Sequence, residues 1–363
     1  MKIGFNGRPF CTEHMRGLSR HTLELIKQLK QLHPDWEFYI YTYGQISSRF
    51  KQELPFVHIR EDKVFPKIMW DLFSLRKQIL EDSIDIFHST NNLGVPLLFR
   101  KKIPLLVTIH DHFTHSYRWP WGKSPRSWWA ALNYRIEYAL LKRCNHYFSV
   151  SENARKNVSE MLSLPLDKIT VSYNGANLKP TNSSFPGNYF LYVGGLEARK
   201  NVATLINAFI QYAKAKHSKL IFKMVADPAL ATSEVQQLLR EHTELFQLVG
   251  NISDKELGQL YEGALALVFP SLEEGFGLPL VEAMGLGCPV IASDIDVFKE
   301  ISGDAALFFP AMDQKRLQEL FGRLESDSTL RESMKNKGYI RAKLFNWQAM
   351  ANTVNEVYSR FCS

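Results

Sequence analysis

In the stretch Pro270–Ile291, PSLEEGFGLPLVEAMGLGCPVI, Glu274 stands directly before Gly275-Phe276-Gly277, and Glu282 follows eight residues after Glu274. The two glycines leave the backbone bare, so its N–H groups can approach an anion. A helix opening near Leu278–Pro279, with proline in its first turn, adds a dipole that favours negative charge at the same place. Carboxylates beside a phosphate-binding loop make sense as acceptors. Ionised carboxylates only accept hydrogen bonds, and they pair well with neutral sugar or ribose hydroxyls. The chemistry on offer is recognition of a phosphorylated, hydroxyl-rich ligand. The plainer alternative is a glycine-rich turn with two solvated glutamates.

Such a loop needs a strand to carry it and a sheet to hold the strand. Leu265–Phe269 is that strand. Before it, short apolar runs alternate with amphipathic stretches along the whole chain. In the first half the runs are Lys2–Asn6, Phe38–Tyr43, Ile84–His88, Pro104–His110, Tyr147–Ser151 and Ile169–Tyr173. Each ends in polar or turn residues, as parallel strands covered on both faces do. Gly17–Leu32 and Glu152–Leu162 are predicted helices, the second with Ser151 as N-cap. Ala176–Asn188 carries no period and reads as a linker. The alternation then restarts, with strands at Tyr189–Val193, Leu220–Val225, Phe246–Val249, Leu265–Phe269, Val290–Ala292 and Leu307–Phe309. Helices are predicted at Val202–Lys216, Glu234–His242, Asp254–Ala264, Pro279–Leu286 and Gln314–Leu324. Two successive alternations imply an α/β protein of two doubly wound domains, with the ligand outside the carboxyl ends of the strands in the cleft between them. At the end, Trp347, Met350, Ala351, Val354, Tyr358 and Phe361 form an apolar helical stripe that needs something to cover.

Composition narrows the class. The chain has 363 residues, 45% hydrophobic and 22% charged, which argues against disorder and against a small disulfide scaffold. No apolar run approaches the roughly 20 residues of a membrane-spanning helix, and the start shows no secretory leader. Cys11, Cys144, Cys288 and Cys362 are scattered, which suits reduced thiols in a cytosolic protein. The net charge is +7. Residues 1–182 hold 26 Lys+Arg against 16 Asp+Glu, a net of +10, and the remainder has a net of −3. A basic half can serve nucleic acid, an anionic membrane or phosphorylated substrates. No nucleic-acid motif accompanies the charge.

The segment EGFGLPLVEAM resembles the signature of the retaining, nucleotide-sugar-dependent glycosyltransferases of family four, which have the GT-B fold. Their E-x7-E motif corresponds to Glu274 and Glu282. The resemblance extends to Val107–Asp111, Ser149–Glu152, Val171–Gly175, Tyr192–Asn201 and Gly303–Pro310, and so spans nearly the whole chain. It implies roles by position. Glu274 would contact hydroxyls of the donor sugar, and Glu282 those of the ribose. The backbone of Gly275, Phe276, Gly277 and Leu278 would hold sugar and phosphate. Arg199 and Lys200 match a basic pair that contacts the diphosphate, where fixed cations stabilise the charge that develops on the leaving group. Alone, the pair reads as a solvated loop before a helix. His110, after an apolar strand, matches a histidine near the donor sugar. Gly17 matches the glycine turn after the first strand, although a single glycine stands here after Arg16. Gly195 stands where some members have a phosphate-binding arginine.

The resemblance further implies domains at 1–180 and 181–345, with 346–363 crossing back to the first. It implies no cofactor beyond the nucleotide-sugar co-substrate and no metal. Asp111, His112 and His115 beside His110 invite a metal site, but adjacent residues of an extended segment point opposite ways. Asp294-Ile295-Asp296 looks like a metal-binding DxD in the wrong context. Sequons at Asn157, Asn182 and Asn251 carry little without a leader. The stretch Phe113–Arg143 mixes Trp119, Trp121, Trp128 and Trp129 with six Lys or Arg side chains. It reads either as a dock on the inner face of the cytoplasmic membrane or as a core helix with outward cations. The expected activity is retaining α-transfer of a hexose, mannose from GDP-mannose as first choice, to a saccharide or lipid-linked oligosaccharide. A sugar-nucleotide epimerase of the same fold and a non-catalytic donor-binding subunit are the rivals.

Overall fold

The computed structural model describes residues 1–11, 17–62, 69–96, 103–110, 136–176, 178, 180–181, 187–250 and 252–361. It divides into two compact units, one of Met1–Asn174 with Trp347–Ser363, the other of Gly175–Asn346. Most of Phe113–Arg143, including its four tryptophans, lies outside the described residues, as do Asp111, His112, His115, Arg16, Asn182, Asn251 and Cys362.

The first unit holds a parallel sheet of β1 (Lys2–Asn6), β2 (Glu37–Tyr43), β3 (His58–Asp62), β4 (Ile86–Ser89), β5 (Leu105–Ile109), β6 (His146–Ser149) and β7 (Ile169–Val171). The order β3-β2-β1-β4-β5-β6-β7 reverses direction between β1 and β4. Every residue of β4, β5 and β6 is buried, as expected of parallel strands with both faces covered. Register pairs Phe5 with Ile40 on one side and with His88 on the other. The strand β3 reads HIRED and escapes a search for apolar runs, because it is an edge strand with exposed charges.

The reversal is shaped by Asn6, whose Nδ2 donates to the Gly94 carbonyl at 2.9 Å while its Oδ1 accepts from the Arg8 N–H at 3.1 Å. Gly94 has φ +83°, and a Cβ there would lie 2.3 Å from Asn6 Nδ2. Only glycine fits. The helix Gly17–Leu32 buries His21, Leu25, Ile26 and Leu29, and packs against the helix Trp347–Ser359. That last helix buries Trp347, Met350, Ala351, Val354, Val357 and Tyr358. Phe361 falls beyond its end, half-buried. Polar ties reinforce the packing: His33 Nε2 meets Asn355 Oδ1 at 2.8 Å, and Tyr358 Oη meets His88 Nδ1 at 2.7 Å.

The second unit repeats the plan with β8 (Tyr189–Val193), β9 (Ile221–Val225), β10 (Phe246–Val249), β11 (Ala266–Phe269), β12 (Val290–Ser293) and β13 (Ala306–Phe309). Its parallel order is β10-β9-β8-β11-β12-β13, reversing between β8 and β11. Phe190, Phe209, Phe222, Phe246 and Phe321 cluster on one face with mostly tilted or edge-on rings. The helices Asp296–Ser302 and Ser328–Ala342 were not evident from periodicity. The second buries only Met334 and Gly338. Among the described residues no helix is long and apolar enough to cross a membrane.

Candidate active site

In an open α/β sheet, loops at the carboxyl ends of the strands diverge where the strand order reverses, and ligands bind there. In the second sheet that point lies between β8 and β11. The loop after β8 carries Arg199 and Lys200; the loop after β11 carries Ser271 and Glu274.

Local sequence stitches these loops together. Ala198–Lys200 forms a single 3-10 turn. Asn201 follows with φ +53°, a conformation asparagine tolerates better than most residues. Its Nδ2 donates to the carbonyls of Pro270 at 3.1 Å and Ala311 at 2.6 Å, and its Oδ1 accepts from Thr204 Oγ1 at 2.7 Å. The Leu272 N–H donates to the Arg199 carbonyl at 2.9 Å. The basic turn is thereby fastened to the loop that bears Glu274.

The side chains then converge. Lys200 Nζ donates to Glu274 Oε1, Arg199 lies 3.5 Å from Oε2, and Ser271 Oγ donates to Oε1 at 2.9 Å. Lys200 also sits 5.4 Å from the centre of the Phe269 ring. Glu274 and Lys200 are each only 9% exposed. Lys200 and Glu274, largely withdrawn from water, interact more strongly than they would at the surface, while the Arg199 side chain stays 39% exposed. Tyr192 lies beneath them, its hydroxyl donating to the Gly195 carbonyl. Burial first, then the charges of Glu274 and Glu197, push its pKa well above the usual phenol value.

Gly275, Phe276 and Gly277 are buried in the loop that enters the helix Leu278–Gly285. Gly277 is its N-cap, with φ +95°, and a Cβ there would lie 3.0 Å from the Phe298 ring. The Phe276 ring packs edge-on against Phe345 at 5.7 Å, anchoring the loop from below. Leu278 begins the helix, half-buried. Glu282, one turn further, accepts a hydrogen bond from Tyr261 Oη at 3.1 Å. The structure therefore gathers Arg199, Lys200, Glu274 and the glycine loop around one sheet reversal. Asp294 and Asp296 follow β12 instead, with Asp296 starting a helix. Among the described residues no three His, Cys, Asp or Glu side chains converge in a way that would hold a metal ion.

His110 belongs to the first unit and follows β5. Its backbone N–H donates to Asn92 Oδ1, and its Nε2–H donates to the Thr90 carbonyl at 2.9 Å. Nδ1 is thus the ring's acceptor. Burial lowers its pKa to about 4, so the ring is neutral at pH 7. Gly17 begins its helix and is exposed, after residues outside the description.

Ser271, Asn201, Tyr261 and Tyr192 were not singled out from the sequence. A helix N-cap asparagine directly after the basic pair was the available signal for Asn201. Tyr192 stood only as the first residue of the stretch Tyr192–Asn201, with no role of its own, and Tyr261 gave no signal, because a tyrosine on a helix reads as core.

Two parallel α/β sheets with a glycine loop and paired cations at the reversal of the second are the architecture of the GT-B fold. Two family patterns supply the activity class: "Glycosyltransferase Family 4" matches residues 15–179 and "Glycosyl transferases group 1" matches residues 177–341. The chain belongs to the group 1 glycosyltransferases. It is 32% identical to the O-antigen chain mannosyltransferase RfbU of Salmonella typhimurium over 61% of this chain and 62% of that protein. It is 24% identical to the O-antigen chain mannosyltransferase B of Escherichia coli over 98% of this chain and 99% of that one. Among solved structures, sucrose-phosphate synthase from Thermosynechococcus elongatus superposes with a TM-score of 0.75 at 19% identity, covering 99% of this chain and 98% of that one.

Proposed function

We propose that the chain transfers a hexose, mannose from GDP-mannose as first choice, with retention of anomeric configuration. The acceptor is a hydroxyl of a saccharide or lipid-linked oligosaccharide in cell-surface polysaccharide synthesis. The observation that carries this reading is the Arg199–Glu274–Lys200 cluster at the reversal of the second sheet. The names of the O-antigen mannosyltransferase relatives support mannose as the sugar transferred.

On this reading Arg199 and Lys200 take the diphosphate, and Glu274 turns from them to the sugar's hydroxyls. Glu282 accepts from the ribose, and His110 Nδ1 from a donor-sugar hydroxyl. The bond from the anomeric carbon to the phosphate oxygen breaks, and the acceptor oxygen bonds to that carbon on the same face. The acceptor's proton passes to the departing phosphate. Negative charge grows on the diphosphate as the bond breaks, so the two cations stabilise the transition state more than the bound donor. No metal enters this scheme. The basic half then faces the acceptor and an anionic membrane carrying it, at the inner leaflet.

The test is turnover with a panel of nucleotide sugars and lipid-linked acceptors, with the product anomer read by NMR. Transfer from GDP-mannose with an α-linked product is expected. Glu274→Ala should lower kcat about 100-fold or more. Near-parental turnover of that variant removes the role given to Glu274, and acceptor-independent change of the sugar points to the epimerase instead.

A further inference from the structure

A histidine with no exposed surface is a costly way to fill a core, since both ring nitrogens need partners. His21, in the second turn of the helix Gly17–Leu32, is such a residue at 0% exposure. Its Nδ1–H donates to Asn174 Oδ1 at 2.7 Å. Its Nε2 has no hydrogen-bond partner among the described residues. The ring meets that of His110 edge to face, centroids 4.5 Å apart at 89°, and meets Trp347 at 6.4 Å. The next residue, Thr22, pairs its hydroxyl with that of Thr90 at 2.6 Å, and the Thr90 carbonyl is the acceptor for His110 Nε2–H. One helical turn therefore grips His110 from two sides. Asn174 is the residue at which the chain leaves the first unit, and Trp347 the one at which it returns.

We propose that His21 is a positioning residue for glycosyl transfer, holding the His110 ring in the pose in which the Thr90 carbonyl selects its Nε2–H tautomer, and tying that pose to Asn174 and Trp347, where the chain leaves and re-enters the first unit. A phenyl ring would fill the same space more cheaply, but it has no N–H to fasten to Asn174. Burial lowers the pKa of His21 to about 3, and the proximity of His110 adds to the effect. Both rings stay neutral at pH 7, which leaves His110 Nδ1 able to accept. A small rotation of that acceptor misplaces the hydrogen bond it offers, and catalysis is sensitive to such misplacement. The proposal rests on the reading of His110 as a donor-sugar contact.

The test compares His21→Phe, Asn174→Leu and Asn174→Asp with the parent full-length chain. Imidazole nitrogen NMR reads the His110 tautomer without ligand, steady-state kinetics separates kcat from the donor KM, and Tm reads stability. In His21→Phe and Asn174→Leu, kcat should fall about tenfold with the donor KM within about twofold, and the His110 signals should become a mixture of tautomers. Asn174→Asp keeps an acceptor and should stay within about threefold of the parent. A single Nε2–H tautomer in both first variants overturns the proposal, whether kcat is parental or falls only in step with Tm. Should His21→Phe fail to fold, the Asn174 pair decides. His110→Ala separates the two readings: parental turnover there removes the role of His110, while the tautomer spectra still judge His21.

Discussion

The two sheets reverse order in the same way, yet the side chains above each reversal are of opposite kinds. Above the second, Arg199, Lys200 and Glu274 are charged and locked together. In the first, His21, His88 and His110 are neutral: His21 is held by Asn174, His110 by the Thr90 carbonyl, and His88 by the hydroxyls of Tyr358 and Thr108. On the proposed function, one scaffold serves two tasks. Where charge must move, the second unit supplies paired ions that can exchange one partner for another. On the same reading the first unit has only to orient a hydroxyl, and there the fold supplies uncharged rings fixed by carbonyl, amide and hydroxyl partners.

The contrast can be broken most severely at Lys200. Lys200→Met leaves a buried carboxylate with one remaining cation, and kcat should fall about 100- to 1,000-fold in a donor-saturated transfer assay. A loss confined to KM would show that the cation binds the ground state as well as the transition state, and the charged half would lose its distinction.

Acid should separate the two units next. Burial depresses the pKa of His21 to about 3 and of His110 to about 4, and that of His88 falls well below its ordinary value. Unfolded histidines bind protons near pH 6.5, so between there and pH 4 the unfolded chain holds more protons than the folded one. Stability present above pH 6.5 is therefore lost as pH falls, by up to about 1.4 kcal/mol per pH unit for each fully buried ring. Hydrogen exchange at pH 7 and pH 5 should show protection falling in β4 and β5 and persisting in β8 and β11. Equal loss in both units would erase the contrast.

Smaller effects sharpen it. Gly277→Ala places a Cβ at positive φ against Phe298 and should cost about 1–2 kcal/mol in denaturant unfolding. Tyr261→Phe removes the donor to Glu282 and should cost about 0.5–1.5 kcal/mol. A rise in donor KM with kcat unchanged would mark Glu282 as a binding contact alone.

Much of this was legible in the chain itself. Glu274 and the glycine loop stood out because glycine and carboxylate are unusual together between a strand and a helix. The strands stood out because parallel strands are apolar throughout. The edge strand β3 did not, since its side chains are charged: Arg60 pairs with Asp82 and Lys51 with Glu61. The pairing of Lys200 with Glu274 was not readable either, because it spans 74 residues and depends on Asn201 holding two loops together. His21 was invisible for the opposite reason, being one polar residue on an otherwise ordinary amphipathic helix.

The helix Trp347–Ser359 has a consequence for how the chain comes to its native state. It supplies six buried side chains to the first unit, including the tyrosine bonded to His88. The second unit is one uninterrupted segment, Gly175–Asn346, and lies before that helix in the chain. On the ribosome, the unit encoded second can therefore finish first. The unit encoded first must wait with an open face until Trp347–Ser359 has been made, and a stalled or shortened translation product would carry a completed second unit beside an incomplete first one.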